Sequence, residues 1–399
     1  MGYNLVYLVM VTANNNNKYY KMIPCTDHWV AEYGRIGAKP QTQSYDYKQW
    51  DKKYREKIAK GYVDQTDLMK DLITAESVNH YKEISNRAIA DIVERLRFMA
   101  NTVVNDNYTI ASDKVTKAMV DEAQSILNRL LNTTEKSVFN RLLLELFQTI
   151  PRKMSDVKEY LAENTTYFPT IIHREQSLLD VMAGQVITQS TLDNKPKDVQ
   201  KDRTILEEMG LQFAECTADD VQLIKKLLGG SANKFKQAWV VINNKTQAAF
   251  DKYVDTHNIR NTSLLFHGSR NENWWSIINT GLVLRPTNAV ITGKMFGYGL
   301  YFAPLAKKSL GYTSLQGSYW ANGRSKSGFM ALMDVAVGKS YDVYSFESRL
   351  SSFNYEKLRK ACPDADSLFA HAGSMLYNDE IVVYNQPQCT IKYLIELQN

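Results

Sequence analysis

The sequence predicts an α+β multidomain chain: a small β-rich unit, an all-α helical bundle and a mixed β-sheet unit. Three observations carry this. Apolar residues alternate in short runs over residues 3–37, recur at three- and four-residue spacing between about 76 and 190, and return as strand-sized runs between glycine-rich turns beyond 205. At 399 residues the chain exceeds the usual single-core size, so two or three domains are expected. The polar stretch "DNKPKDVQKDR" at 193–203 is the best linker candidate.

In the first unit, "YNLVYLVMVT", "KYYKMIP" and "HWVAEYGRIG" read as strands, with a polar "NNNN" turn at 14–17 and a helix after Asp46. "GYVDQTDLMKD" is the expected link onward. The net charge of +5 is concentrated here, because residues 1–62 hold ten Lys or Arg against five Asp or Glu. Lys48, Lys52, Lys53, Arg55, Lys57 and Lys60 mix with Tyr45, Tyr47, Trp50 and Tyr54. Cations interleaved with aromatics suit phosphate contact plus stacking on sugars or bases, as in nucleic-acid binding. A solvated helix face is the alternative.

The second unit shows two clear stripes: Tyr81, Ile84, Ala88, Ile92, Leu96 and Met99, then Met119, Ala123, Ile126, Leu127, Leu130 and Leu131. "SVFNRLLLELFQTIP" and "REQSLLDVMAGQ" add two more, the first stopped by Pro151. Such stripes are core positions, so this part is a helical bundle without nameable chemistry. In the third unit "AWVVINN", "SLLFHG", "GFMALMDVAVG", "EIVVY" and "TIKYLIELQ" read as strands, the last with Ile391, Tyr393, Ile395 and Leu397 on one face.

With 44% hydrophobic and 23% charged residues the chain is neither disordered nor membrane-like, and its longest apolar runs are strand-sized. No signal peptide or myristoylation site is recognisable at the start, which points to an intracellular protein. Cys25, Cys216, Cys362 and Cys389 form no CxxC pair, and six histidines are dispersed, so neither a disulfide framework nor a metal site is expected.

No GxGxxG loop opens a helix, which disfavours a Rossmann dinucleotide site. Taken singly, His267 reads as a hydrogen-bonded strand-end histidine and "YNDE" as a turn. In combination they read otherwise. "LLFHGSR", then "TGKMFGYGLYFAPLAKKSLGY", then "MLYNDEIVVY", in that order, resemble the catalytic domain of the poly(ADP-ribose) polymerases from about residue 205 to the C-terminus. "NKYYKM", "EYGRIG" and "KIAKGY" are similar to the WGR domain of DNA-dependent members, and "DEAQSILNRLL" and "FNRLLLELFQTIP" to their helical regulatory domain. The resemblance divides the chain into a WGR-like nucleic-acid-binding domain (1–68), a helical regulatory domain (76–192) and an ADP-ribosyltransferase domain (205–399).

What the resemblance implies is specific. NAD⁺ is the substrate and no metal is needed. Nicotinamide is displaced through an oxocarbenium-like state, which calls for orientation and a carboxylate. Glu380 is that carboxylate, bonding the nicotinamide ribose and activating the acceptor hydroxyl. Asp379 is the competing choice, because "LYNDE" carries one residue more than the usual spacing between the Tyr-Asn pair and the glutamate. Counting back from "IKYL" favours Glu380. His267 holds the adenosine ribose beside Ser269; Gly268 and Ser309 grip the carboxamide; Tyr301 and Tyr312 sandwich the ring; Lys308 assists acceptor binding. Nucleic-acid contacts fall to Tyr33, Arg35, Trp50, Lys52, Lys53 and Lys57.

Two departures stand out. Val283 occupies a position where the family often has arginine, with Arg285 two residues on, and Tyr33 replaces the signature tryptophan before Gly34 and Arg35. The implied function is polymer synthesis stimulated by broken or nicked DNA. A regulatory helical domain would block NAD⁺ until DNA loosens it. Acceptors would be proteins including the chain itself. A monomer is expected, without membrane contact, in the nucleus of a eukaryote or the cytoplasm or nucleoid of a prokaryote. Alternatives are a mono-ADP-ribosyltransferase, an inactive DNA-end-binding adaptor and an RNA-binding module.

Overall fold

The computed structural model describes residues 3–67, 81–108, 115–193, 202–284, 295–315 and 325–399. The α+β class is as expected. The chain divides into two compact units, one of residues 1–77 with 101–189 and one of 78–100 with 190–399. Of the expected linkers, 68–71 and most of 193–203 lie outside the described residues.

In the first unit, β1 (Val6–Thr12), β2 (Asn16–Pro24), β3 (Trp29–Arg35), β4 (Gln41–Tyr45) and the short β5 (Val63–Asp64) form a sheet of order β4-β3-β2-β1-β5. The β1–β2 hairpin turns through Asn15 at φ 58°, a left-handed conformation that asparagine tolerates. The polar asparagine run is therefore the turn the sequence suggested. α1 (Trp50–Ala59) covers a core of Leu8, Tyr20, Met22, Trp29, Ala31 and Trp50.

The same unit contains α3 (Lys117–Leu131), α4 (Lys136–Thr149) and α5 (Phe168–Asp193). Met119, Ala123, Ile126, Leu127 and Leu130 of α3 are buried, so the helical stripe does face the core. α4 ends at Thr149, just before Pro151. Gln148 Nε2 donates to Val11 O at 3.1 Å and Asn17 Nδ2 to Arg152 O at 3.0 Å, tying sheet to helices. α2 (Arg87–Asn107) starts later than its stripe suggested. Asn86 accepts from Ile89 N at 3.2 Å and begins the helix there, and Lys82 bridges Thr204, so Tyr81 and Ile84 precede it.

In the second unit, α6 (Ile205–Met209) and α7 (Ala218–Leu228) each open on a capping box, Thr204 with Glu207 and Thr217 with Asp220. β6 (Leu211–Glu215), β7 (Phe235–Asn243), β8 (Thr262–Gly268), β10 (Ser327–Ala336) and β14 (Cys389–Gln398) form an antiparallel sheet of order β6-β7-β14-β10-β8. β9 (Leu300–Phe302), β11 (Ser340–Val343), β12 (Ser367–Ala370) and β13 (Glu380–Val383) form a second, of order β11-β12-β13-β9. Reciprocal 2.9 Å bonds between Phe266 and Ala303 join β8 to the end of β9. β14 is buried on both faces, because α8 (Asn244–Thr256) and neighbouring helices cover what its alternation left open. α9 (Trp274–Thr280), α10 (Ala306–Leu310) and α11 (Tyr355–Ala361) complete the unit.

Candidate active site

His267 stands at the end of β8, beside the point where the two sheets join. Its Nδ1 lies 3.0 Å from the carbonyl of Tyr301. A carbonyl only accepts, so Nδ1 carries the proton and Nε2 keeps a lone pair. Burial pushes the imidazole below its usual range, and the Tyr301 carbonyl only partly opposes this. The ring is thus a neutral acceptor at neutral pH, suited to a sugar hydroxyl. Trp274, on α9, meets it edge-on at 6.4 Å. Trp274 and Trp275 are both fully packed.

Gly268 follows, and no other residue fits. A Cβ there would lie 2.0 Å from the carbonyl oxygen of Ser309. Two residues that the resemblance assigns to one ligand group therefore have their backbones in contact, as β8 meets α10. Ser269 Oγ accepts from Asn273 Nδ2 at 3.0 Å. Asn271, which the sequence did not single out, donates to Ser327 O at 3.1 Å and accepts from Phe329 N at 3.3 Å, while Ser314 Oγ accepts its amide at 2.9 Å. It holds the post-His267 turn to β10 and to the segment after Tyr312.

Tyr301 lies on β9, opposite Val382 of β13. Its hydroxyl donates to Gly297 O at 2.8 Å and accepts from Phe296 N at 3.2 Å, which fixes the ring. Gly297 needs its φ of 77°, and a Cβ would meet Phe353 O at 2.2 Å, so both backbone conformation and close approach require glycine there. Tyr384 OH donates to Phe296 O at 2.6 Å. Its position four residues after Glu380, on the same face of an extended strand, was the signal that could have found it. Tyr312 is 51% exposed, so one of the two rings expected to stack on nicotinamide is half open to solvent.

Glu380 begins β13, paired with Ala370 of β12, and is 8% exposed. Lys308 Nζ lies 3.0 Å from its Oε1 and donates to Asn378 O at 3.3 Å. Burial pushes the Glu380 carboxyl up, and the Lys308 ammonium offsets only part of this. Asp379 turns elsewhere: its Oδ1 accepts from Ala372 N at 2.7 Å. It is Glu380, therefore, that faces Lys308, while Lys307 is solvated. His267, Gly268, Ser309, Tyr301 and Glu380 are linked through β8, β9, β13 and α10. Among the described residues, no group of three or more His, Cys, Asp or Glu is arranged to hold a metal. The four cysteines are free. Val283 is exposed, and Arg285 lies outside the described residues.

The expected nucleic-acid residues fare differently from one another. Trp50 is 6% exposed and packs edge-on against Trp29 at 5.2 Å, so it is core. Tyr33 stacks on Tyr20 at 5.6 Å, and Lys57 Nζ sits 4.0 Å over Tyr20, 5.8 Å over Tyr33 and 5.6 Å over Tyr62. Burial pushes the Lys57 ammonium down. Lys53 lies over Tyr45 and 3.7 Å from Glu56, and Lys52 is exposed. Arg35 donates to Asn15 O at 3.0 Å, Asn15 Oδ1 at 2.9 Å, Met154 O at 3.2 Å and Ser155 O at 2.8 Å. It links β3 to the segment after α4.

Residues 219–399 match the family model of the poly(ADP-ribose) polymerase catalytic domain. A protein of Invertebrate iridescent virus 6 named "Putative poly [ADP-ribose] polymerase-like 100L" is 33% identical over 168 residues, 41% of this chain and 87% of that protein. Poly(ADP-ribose) polymerase 1 of Danio rerio is 24% identical over 315 residues, 71% of this chain. Poly(ADP-ribose) polymerase 2 of Zea mays is 23% identical over 434 residues, 97% of this chain. The chain spans 30% of the length of the Danio rerio protein and 64% of the Zea mays protein.

Proposed function

Because the chain belongs to the poly(ADP-ribose) polymerase family and its C-terminal domain is that of an NAD⁺ ADP-ribosyltransferase, we propose that it is a DNA-break-stimulated polymerase. It transfers ADP-ribose from NAD⁺ to protein acceptors, itself included, and extends the chain. The observation that carries this reading is Glu380, buried and 3.0 Å from Lys308, on the strand that pairs with the one bearing Tyr301.

The chemistry follows from those groups. The bond from the nicotinamide-ribose carbon to nicotinamide breaks, nicotinamide leaves with the bonding pair as a neutral ring, and the acceptor oxygen bonds to the same carbon. The Glu380 carboxylate stabilises the positive charge that develops at the ribose and accepts the acceptor's proton. Lys308 keeps that carboxylate ionised and oriented. His267 Nε2 accepts from the adenosine ribose, with Ser269 beside it. The Gly268 backbone and the Ser309 hydroxyl hold the carboxamide, and Tyr301 and Tyr312 flank the nicotinamide ring so that it leaves along one path.

Residues 1–68 act as a WGR-like DNA-end-binding domain in this reading, and 76–192 as the helical regulatory domain. Exposed Lys52 and the Lys53 and Lys57 ammonium groups over tyrosines support contact with phosphate and sugar. Arg35, bonded to Met154 O and Ser155 O, serves coupling between the two domains rather than the DNA alone. The compartment follows the DNA: nucleus in a eukaryote, cytoplasm or nucleoid in a prokaryote. Labelled NAD⁺ incubated with the chain, with and without a 5′-phosphorylated nick, tests this. Label should rise with the nick in wild type and not in Arg35→Ala, and equal labelling with and without DNA would remove DNA stimulation from the reading.

A further inference from the structure

The connection between β12 and β13 holds the extra residue of "LYNDE", and the structure gives that residue a use. Main-chain pairing between the two strands ends at Ala370 and Glu380. One step further out, Ala372 N is bonded by the side chain of Asp379 at 2.7 Å. Gly373 N then donates to Leu376 O at 2.8 Å. Among the described residues, these two bonds close the connection on itself. The carboxylate of Asp379 thus serves as the last rung of the hairpin.

The residues on either side of Asp379 both meet Lys308. Asn378 offers its carbonyl at 3.3 Å and Glu380 its carboxylate at 3.0 Å. A lysine has a flexible four-carbon stem, and one carboxylate partner leaves its ammonium free to swing. Two acceptors, one of them main chain, fix it only if the main chain is itself fixed. We propose that Asp379 is a positioning residue for ADP-ribose transfer: by closing the 372–379 connection it fixes the Asn378 carbonyl, which holds the Lys308 ammonium against Glu380. The inference rests on the role assigned to Glu380 above.

Its signature is a pH profile. Tyr301 from β9, Tyr312 after α10 and Tyr384 after β13 also surround Glu380, but burial pushes all three phenols up and they stay neutral. Among the described residues, Lys308 is therefore the full charge that opposes the burial of Glu380. If Lys308 drifts away, Glu380 ionises only at higher pH, and the acidic limb of activity moves up. Deleting the negative charge of Asp379 acts in the other direction, easing ionisation of its neighbour. The two effects have opposite signs, so the direction of the shift separates them.

The experiment follows kcat and KM for NAD⁺ against pH, with nicked duplex DNA, for wild type, Asp379→Ala, Asp379→Asn, Lys308→Met, the Asp379→Ala/Lys308→Met pair and Glu380→Gln. Asn keeps an oxygen for Ala372 N but not the charge, so it should keep the wild-type kcat with a limb at or below that of wild type. Ala should lose about tenfold in kcat, keep KM within about twofold and move the limb upward. The pair should match Lys308→Met alone, because one residue acts through the other. A downward or absent shift in Asp379→Ala, an additive pair, or an Asn variant as poor as Ala would overturn the proposal. Should the Ala variant fail to fold, a wild-type kcat in Asp379→Asn with no upward shift of the limb still supports it, and a loss of about tenfold or an upward shift there opposes it. A Glu380→Gln variant that still elongates instead overturns the role of Glu380 itself.

Discussion

Lys308 and Glu380 form an ion pair, 3.0 Å from Nζ to Oε1, between two largely buried side chains on α10 and β13. Burial wins over the ammonium, so the Glu380 carboxyl titrates above the ordinary carboxylate range. The carboxylate is the working form, so activity is complete above the raised value and falls as pH drops through it. The acidic limb of chain extension should then lie clearly above about 4.3, the value of a free glutamate. Lys308→Met should raise it further and cut extension by about 10²-fold. Product length across a pH series measures both.

Gly268→Ala puts a methyl group 2.0 Å from Ser309 O. α10 has to move, and with it both Ser309 and Lys308. We expect a destabilisation of about 1–3 kcal/mol and a rise in KM for NAD⁺ of at least about tenfold. Thermal melts and NAD⁺ titrations report the two effects separately.

Glu396 on β14 has no solvent exposure and meets Arg95 of α2 at 2.6 Å and Lys236 of β7 at 3.0 Å. Burial pushes its carboxyl up, but the Arg95 and Lys236 hydrogen bonds and charges together outweigh this and hold it below the usual range. A depressed carboxyl stabilises the fold above its unfolded-state value, near 4.3, and that stability is lost as pH falls through the folded-state value. Arg95→Ala should cost about 2 kcal/mol at neutral pH, and less once pH falls below about 4. Chemical denaturation at two pH values checks the sign.

Arg152 and Glu175 are an ion pair with both side chains 3% exposed or less. Arg152 also lies 5.1 Å over Tyr108 and donates to Asn107 O at 3.1 Å. Arg152→Met alone should cost about 3–5 kcal/mol, because Glu175 is left buried with only the more exposed Arg174. Adding Glu175→Leu should recover most of it. Urea midpoints of the single and double variants decide.

The strands that the sequence announced, β1, β2, β3, β7, β8, β10, β13 and β14, are those with apolar or aromatic runs between turn residues. β4 and β12 were not announced, since β4 is a polar, exposed edge strand and β12 has four residues. His267, Tyr301, Ser309 and Glu380 were singled out because each sits in one of three motifs that occur in order. Asn271 and the Arg95–Glu396 pair were not, because their partners lie far away in sequence, whereas Tyr384 was passed over although it follows Glu380 by four residues. Trp50 was assigned to a basic surface, yet Trp50, Tyr54 and Lys57 share the spacing of one helix face, and that face packs on the sheet. A stripe containing lysine reads as solvated until its tyrosine partners are known.

The most direct test of the account is labelling with radioactive NAD⁺ in the presence of nicked duplex DNA, with products of wild type and Glu380→Gln resolved by length. A ladder of polymer is expected from wild type, and from the variant single units or hydrolysis without extension. An unlabelled wild-type protein, or a variant that still builds the ladder, would contradict it.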